Sequence, residues 1–405
     1  MFNVEKLDHE GRGVIRQGKV TFVENALPNE LVEIKILKEK KNYIEAESIK
    51  IENPSKDRCN PNCKYFNNCG GCNLLHMNYE STLNFKENKI KEIIAKFLKE
   101  DIKINKIIPT IEPFNYRNKA TFHVKKQAGY YKKNSNEIIN IDNCNLVDNS
   151  INKILKNIKE INLNNIYEII IRKSKYIDNS MIIIKVNKDI NEKEIIGKLN
   201  GIVTSIIIYQ NKKYKTIYGS NYILEQMNEF KFKISEDSFF QVNTKTAITL
   251  YEKVVEYINV QENENILDLY CGTGTIGIFL SKKAKKVTGI EINASAINNA
   301  IENSKINNIN NIEFICKDSS KAVLELKEHF DKIIVDPPRA GLDRNTIKFL
   351  KESKAKKIVY VSCDPVTLAR DLNLLKENYN IKEITPVDMF PYTHHVETVS
   401  LLEIK

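Results

Sequence analysis

Tryptophan is absent from this chain, and no uninterrupted apolar stretch is long enough to cross a bilayer. The first lack leaves any ring stacking to tyrosine, phenylalanine and histidine. The second excludes a helical membrane protein. The start, Met1-Phe2-Asn3-Val4-Glu5, has neither a basic segment nor an apolar core. No secretory signal is visible, so a cytoplasmic protein without a membrane partner is expected. Without an export route, the eight cysteines argue for metal or thiol chemistry rather than disulfides. Charge of one sign is also unevenly missing. Residues 1–50 hold 9 Lys+Arg and 9 Asp+Glu, and residues 261–405 hold 20 and 20. Residues 51–260 hold 33 and 23. The positive excess therefore lies in the middle, which suggests a large anionic partner held beside a neutral catalytic module.

Three segments follow from the patterning. Residues 1–53 alternate in short runs, such as 18–23 and 31–37, broken by turn residues. They read as a small barrel of the oligonucleotide-binding type. Residues 54–235 begin with a cysteine-rich loop at 54–75. A helix at 79–99 follows, with Leu83, Ile90, Ile93, Ile94 and Phe97 on its apolar side. Strand-like runs at 120–124, 167–171, 181–186 and 205–209 then predict a mixed α+β domain. From 236 to 405 strands alternate with helices. Strands are expected at 265–270, 286–291, 312–316, 332–336, 357–362, 381–388 and 396–403. The last two are joined without room for a helix. This describes an α/β, Rossmann-like, seven-stranded doubly wound sheet with a reversed last strand.

Asp268-Leu269-Tyr270-Cys271-Gly272-Thr273-Gly274-Thr275-Ile276-Gly277 reads as a strand entering a glycine turn and a helix. Glu291 ends the next strand 19 positions after Gly272, a spacing that brings a carboxylate to ribose hydroxyls. A dinucleotide and S-adenosylmethionine both fit; the reversed last strand favours S-adenosylmethionine. Asp336-Pro337-Pro338-Arg339 closes the fourth strand, at the edge where such sheets bind ligands. Cys363 closes the fifth, just before a helix opening on Asp364 and Pro365. A helix start beside it is expected to lower its pKa toward neutrality and make it a nucleophile. A small core cysteine at a strand end is the plainer alternative. Glu397 follows His394-His395 and starts the final strand; on its own it also fits a surface residue.

Cys63, Cys69 and Cys72, the last two flanking Gly70-Gly71, have the spacing of an iron–sulfur loop. Cys144 is the best fourth ligand outside the cofactor fold. Zinc shares this spacing, and Cys59 is a further thiol nearby. Residues 115–133 carry Arg117, Lys119, Lys125, Lys126, Lys132 and Lys133 and no acid. Tyr116, Phe122, Tyr130 and Tyr131 interleave with them. Cations for phosphates and rings for bases suit single-stranded nucleic acid; a solvated lysine-rich hairpin fits equally.

Together these motifs resemble the RNA 5-methyluridine (uracil-5-) methyltransferases. More narrowly, they resemble the bacterial 23S ribosomal-RNA type with a TRAM barrel and a 4Fe–4S cluster. The resemblance spans nearly the whole chain, including Tyr116-Arg117-Asn118-Lys119, Ser238-Phe239-Phe240-Gln241-Val242-Asn243 and His395-Val396-Glu397-Thr398. It implies cofactor contacts at Gln241, Tyr270, Glu291 and Asp336. It implies a nucleophile at Cys363, a base at Glu397, and cluster ligands at Cys63, Cys69, Cys72 and Cys144. The expected reaction moves a methyl group from S-adenosylmethionine to C5 of a uridine in ribosomal RNA, with transfer RNA as the other candidate. A decayed, RNA-binding iron–sulfur protein is the non-enzyme alternative, and the complete set of site residues argues against it.

Overall fold

Continuous apolar runs such as Ile333-Ile334-Val335 and Ile358-Val359-Tyr360 form strands covered on both faces, and all six residues are fully buried. The computed structural model describes residues 1–405. Its largest sheet has the spatial order Ile312–Cys316, Lys286–Glu291, Asn265–Leu269, Lys332–Val335, Lys357–Ser362, Glu397–Ile404, Tyr379–Val387 and Lys103–Ile104. The first five are parallel. Glu397–Ile404 runs antiparallel to both neighbours. The chain leaves Asn265–Leu269 toward one edge, then returns to Lys332–Val335 on its other side. The crevice between these strand ends is a topological switch point, where such sheets take ligands.

The structure differs from three expectations. The sheet has eight strands, because Lys103–Ile104 pairs in parallel with Glu383 and Ile384 at its edge. The helix Tyr79–Leu98 also joins this sheet rather than a separate central domain. Its Ile90, Ile93, Ile94 and Leu98 share one core with Leu267, Val335 and Leu372. Phe97 does not face that core and is 37% exposed. Lys86 is buried instead, because its ammonium pairs with the equally buried Asp388.

The central sheet has the order Ile138–Asn140, Ala128–Tyr131, Lys119–Val124, Ile166–Lys173, Ser180–Val186, Ser205–Gln210 and Lys213–Tyr218. One pairing is parallel, Ser180–Val186 with Ser205–Gln210, bridged by the helix Glu192–Leu199. Met181, Ile183 and Ile207 of this sheet share a core with Val359 and Val399 of the large sheet. The hairpin Tyr222–Met227/Phe230–Ser235 and the helix Thr244–Ile258 fill the space between them.

The first 52 residues form a six-stranded sheet. Its opening strand is interrupted: Phe2–Asn3 pairs with Leu31–Glu39, and Lys6–Leu7 pairs with Gly13–Ile15. That double pairing closes the sheet into a barrel around Val4, Val23, Val32 and Ala46. Gly11, at φ +82°, lets the barrel meet the cysteine loop; a Cβ there would lie 2.4 Å from Leu74 Cδ2. No helix is long and apolar enough to cross a membrane.

Candidate active site

The turn after Asn265–Leu269 is shaped by backbone that side chains rarely adopt. Tyr270 has φ +65°, Gly272 +54° and Gly274 +76°. Gly277 lets the next helix settle on the sheet, since a Cβ would lie 2.9 Å from Ile312 Cδ1. Glu291 braces the turn: its Oε2 accepts from Gly272 N at 3.2 Å and its Oε1 from Asn293 N at 2.8 Å. Asp268 Oδ2 accepts from Gly277 N at 3.1 Å, while Oδ1 is buried with no donor. Burial, reinforced by the charge of Asp336, pushes the Asp268 carboxyl up to about 8. Asp268 was visible only as part of a motif; its unpaired oxygen could not be read from the sequence.

Strand register brings the expected catalytic pair together. Ser362 lies opposite Thr398 in an antiparallel ladder, so the next pair outward is Cys363 and Glu397. Asp336 follows Val335, which pairs with Leu269 on one side and Tyr360 on the other. Electrostatics tie the three acids together. Burial and then Asp336 push Glu397 up to about 8, against the pull of Arg339. Burial holds Asp336 up to about 7. Arg339 acts on Cys363, Glu397, His394 and His395 alike, and Lys86 and Lys89 act with it on the two histidines. It stood in the Asp-Pro-Pro-Arg motif, but its charge had been given no role.

The expectation for the thiol is reversed. Cys363 is pushed up to about 11 by burial, then by Glu397 and Asp336, with Arg339 opposing. The helix Pro365–Leu375 does not compensate, because Asp364 already accepts from Val366 N and Thr367 N at 3.0 Å each. A capped helix start has little positive potential left to offer a neighbour.

Gln241 lies on the segment between the hairpin and the helix Thr244–Ile258. Ser238 Oγ accepts from Asn299 Nδ2 at 2.8 Å, and Asp237 accepts from Ser295 Oγ at 2.8 Å. Those bonds draw the segment to the helix Ala294–Ile306, which begins just after Glu291. Phe239 (70% exposed) and Ile292 (63%) leave apolar side chains open beside Gln241 and Glu291. Exposed apolar groups on polar segments suit flat rings.

The loop carrying Glu397 is anchored from far away in sequence. Asp388 accepts from Lys86 Nζ and from Tyr79 Oη. Lys86 also donates to Phe390 O, and Lys89 to His394 O. Asn73 N and Leu74 N both donate to Tyr392 O, at 3.1 and 3.0 Å. Burial pushes His394 down to about 3 and His395 down to about 4, so both rings are neutral.

Cys63, Cys69, Cys72 and Cys144 line one cavity of 730 Å³, together with Gly70, Gly71, Arg117 and Tyr130. All four are free thiols. Burial pushes Cys69, Cys72 and Cys144 up, with the other thiols adding to it. Cys59 stands apart and points its thiol at Leu75 O, 3.6 Å away. No three His, Cys, Asp or Glu side chains close on one point as a single metal ion needs. This cavity belongs to the cysteine loop and the central sheet; Cys363 and Glu397 do not line it.

Comparison with known proteins agrees with this layout. A tRNA (Uracil-5-)-methyltransferase family model matches residues 78–405, and a TRAM domain model matches residues 3–49. An RNA methyltransferase of Staphylococcus aureus is 36% identical, over 99% of this chain and 97% of its own length. One from Clostridium acetobutylicum is 38% identical, over 99% and 96%. The crystal structure of Pyrococcus abyssi tRNA (uracil-54, C5)-methyltransferase, in complex with S-adenosyl-L-homocysteine, superposes with a TM-score of 0.81. It is 29% identical, covering 99% of this chain and 100% of that one. The barrel, the switch-point turn and the paired strand ends thus sit on a chain that belongs to the tRNA (uracil-5-)-methyltransferase family.

Proposed function

We propose that this protein methylates C5 of a uridine in RNA, using S-adenosylmethionine and a transient bond between Cys363 and C6 of the base. The observation that carries the reading is the register that sets Cys363 beside Glu397, with Asp336 on the neighbouring strand end. The cofactor supplies an activated methyl group on a sulfonium. Gln241, Tyr270, Glu291 and Asp336 are proposed to hold it, and the unpaired Asp268 Oδ1 offers a further acceptor behind them.

C5 of uracil is a poor nucleophile. Addition of the Cys363 thiolate to C6 makes the ring an enolate, and C5 then attacks the methyl group. Glu397 removes the C5 proton, and expulsion of the thiolate restores the ring. The resting thiol holds its proton because two carboxyl groups and burial disfavour its charge. Its proton leaves to solvent before attack, so Glu397 stays free to take the C5 proton. A stacked uridine must first leave its stack, at a few kcal/mol.

A 4Fe–4S group held by Cys63, Cys69, Cys72 and Cys144 fits the four free thiols around one cavity. Its part would be to order the loop, with no redox step in methyl transfer. Ribosomal RNA of the 23S type is the substrate we propose, from the ordered motifs of the chain. Transfer RNA is the second reading, favoured by the Pyrococcus structure. Mapping 5-methyluridine in ribosomal and transfer RNA from cells with and without the protein separates them. No lost 5-methyluridine in either would refute the function.

A further inference from the structure

The strand Lys119–Val124 turns Ala120, Phe122 and Val124 into the core and Lys119, Thr121 and His123 to the other side. Tyr131, on the paired strand, stacks on His123 with ring centroids 4.0 Å apart and stays 42% exposed. Arg117 precedes Lys119 by two residues. Arg117, Lys119, Thr121, His123 and Tyr131 line the same 730 Å³ cavity as the cysteines. Tyr130 turns the other way: it stacks on Phe122 and meets Cys144, so Cys144 lies on the opposite face of the sheet from His123 and Tyr131.

The charges on this side are unbalanced. The groups that act on Lys119 are Arg172, Lys185, Arg117 and, more weakly, Glu168. Glu168 is already committed, 2.8 Å from Lys185 Nζ and 3.6 Å from His123 Nδ1. Lys119 is thus half-buried among cations without a carboxylate of its own. Arg172 is 5% exposed with its Nε unpartnered, and its other end is fixed on Ser238 O. Asn118 Nδ2 donates to Gln241 O at 3.0 Å. The cluster therefore adjoins the segment that carries Gln241. Half-buried cations without partners want an anion, and a stacked ring pair with an open face wants another flat ring. A nucleotide offers both, an anionic phosphodiester and a flat base.

We propose that Arg117, Lys119, His123 and Tyr131 bind one unpaired nucleotide of the substrate RNA beside the target uridine, the cations taking its phosphodiester and the stacked rings its base. This rests on the RNA-methyltransferase reading above. The test uses the full chain, labelled S-adenosylmethionine and RNA from cells lacking the enzyme. Lys119→Gln and Tyr131→Ala should each raise the KM for RNA about tenfold and leave kcat within about twofold. Lys119→Gln should also flatten the salt dependence of binding to fluorescent oligouridylate, lowering the slope by about 0.7. Tyr131→Phe, which keeps the ring, should restore the wild-type KM. Lys213→Gln, on an outer strand, should change nothing. Unchanged KM and salt slope in Lys119→Gln, with wild-type protein methylating normally, would overturn the site. If the wild-type protein methylates no RNA, the function falls; an oligouridylate salt slope unchanged by Lys119→Gln would then sink the site as well.

Discussion

Replacing Glu397 by Gln separates base catalysis from everything else the site does. Glu397 is 6% exposed, and glutamine keeps its shape while removing its titrating proton. Turnover should fall by about 10²–10⁴-fold, the usual contribution of a positioned general base. That is about 3–5 kcal/mol of barrier. Addition and methyl transfer need no base at C5, so RNA should remain bonded to Cys363 and run as a retarded band on denaturing gels. Stability supplies an independent reading. The ordinary carboxyl titrates near 4.5, and the folded one keeps its proton to about 8. The folded state binds the extra proton across that interval. Stability from this group is therefore complete below 4.5 and is lost as pH rises through 8. The interval corresponds to roughly 5 kcal/mol at most. Glutamine escapes this loss, so calorimetric Tm of the variant should gain on the wild type between pH 5 and 8. Normal turnover without an adduct would refute the base. Parallel Tm curves would refute the burial argument.

Cys363→Ala should abolish turnover and adduct while leaving S-adenosylhomocysteine affinity unchanged by calorimetry; full turnover would remove the covalent route. Alkylation of Cys363, followed by peptide mass spectrometry, should keep accelerating above pH 9, consistent with a thiol near 11, and Glu397→Gln should shift that rise to lower pH. Anaerobically purified protein should be brown, and Cys72→Ser should lose iron; a colourless, zinc-containing wild type would exclude the cluster. Lys86→Met should cost about 3–5 kcal/mol by leaving Asp388 buried and unpaired. The double variant with Asp388→Asn should recover part of that loss in denaturant melts.

The strand–helix alternation of 265–404 was legible because strands covered on both faces are apolar without interruption. The ends of those strands were legible because turn and proline motifs mark them. The two-residue edge strand Lys103–Ile104 was not, since it carries no periodicity of its own. The burial of Lys86 was not legible either, because its partner stands 302 positions away. The thiol of Cys363 was misjudged for a local reason. The sequence places it at a helix start, but Asp364 consumes that start's hydrogen-bond capacity. Arg339 and the neutral histidines became meaningful only when three strand ends met.

Tyr392, whose carbonyl takes two amides from the residues just after Cys72, has a consequence for how this enzyme can be divided. A fragment beginning at 236 would retain most of the large sheet and its switch-point turn. It would lack the clasp of Lys86, Tyr79 and Asn73 around the segment that presents Glu397. Such closures between distant stretches of chain are slow to form. Competence for catalysis should thus be assembled after the cofactor fold, when the front of the polypeptide wraps over its tail. A protease cut near residue 100 should loosen the hold on the segment before Glu397 and lower methyl transfer.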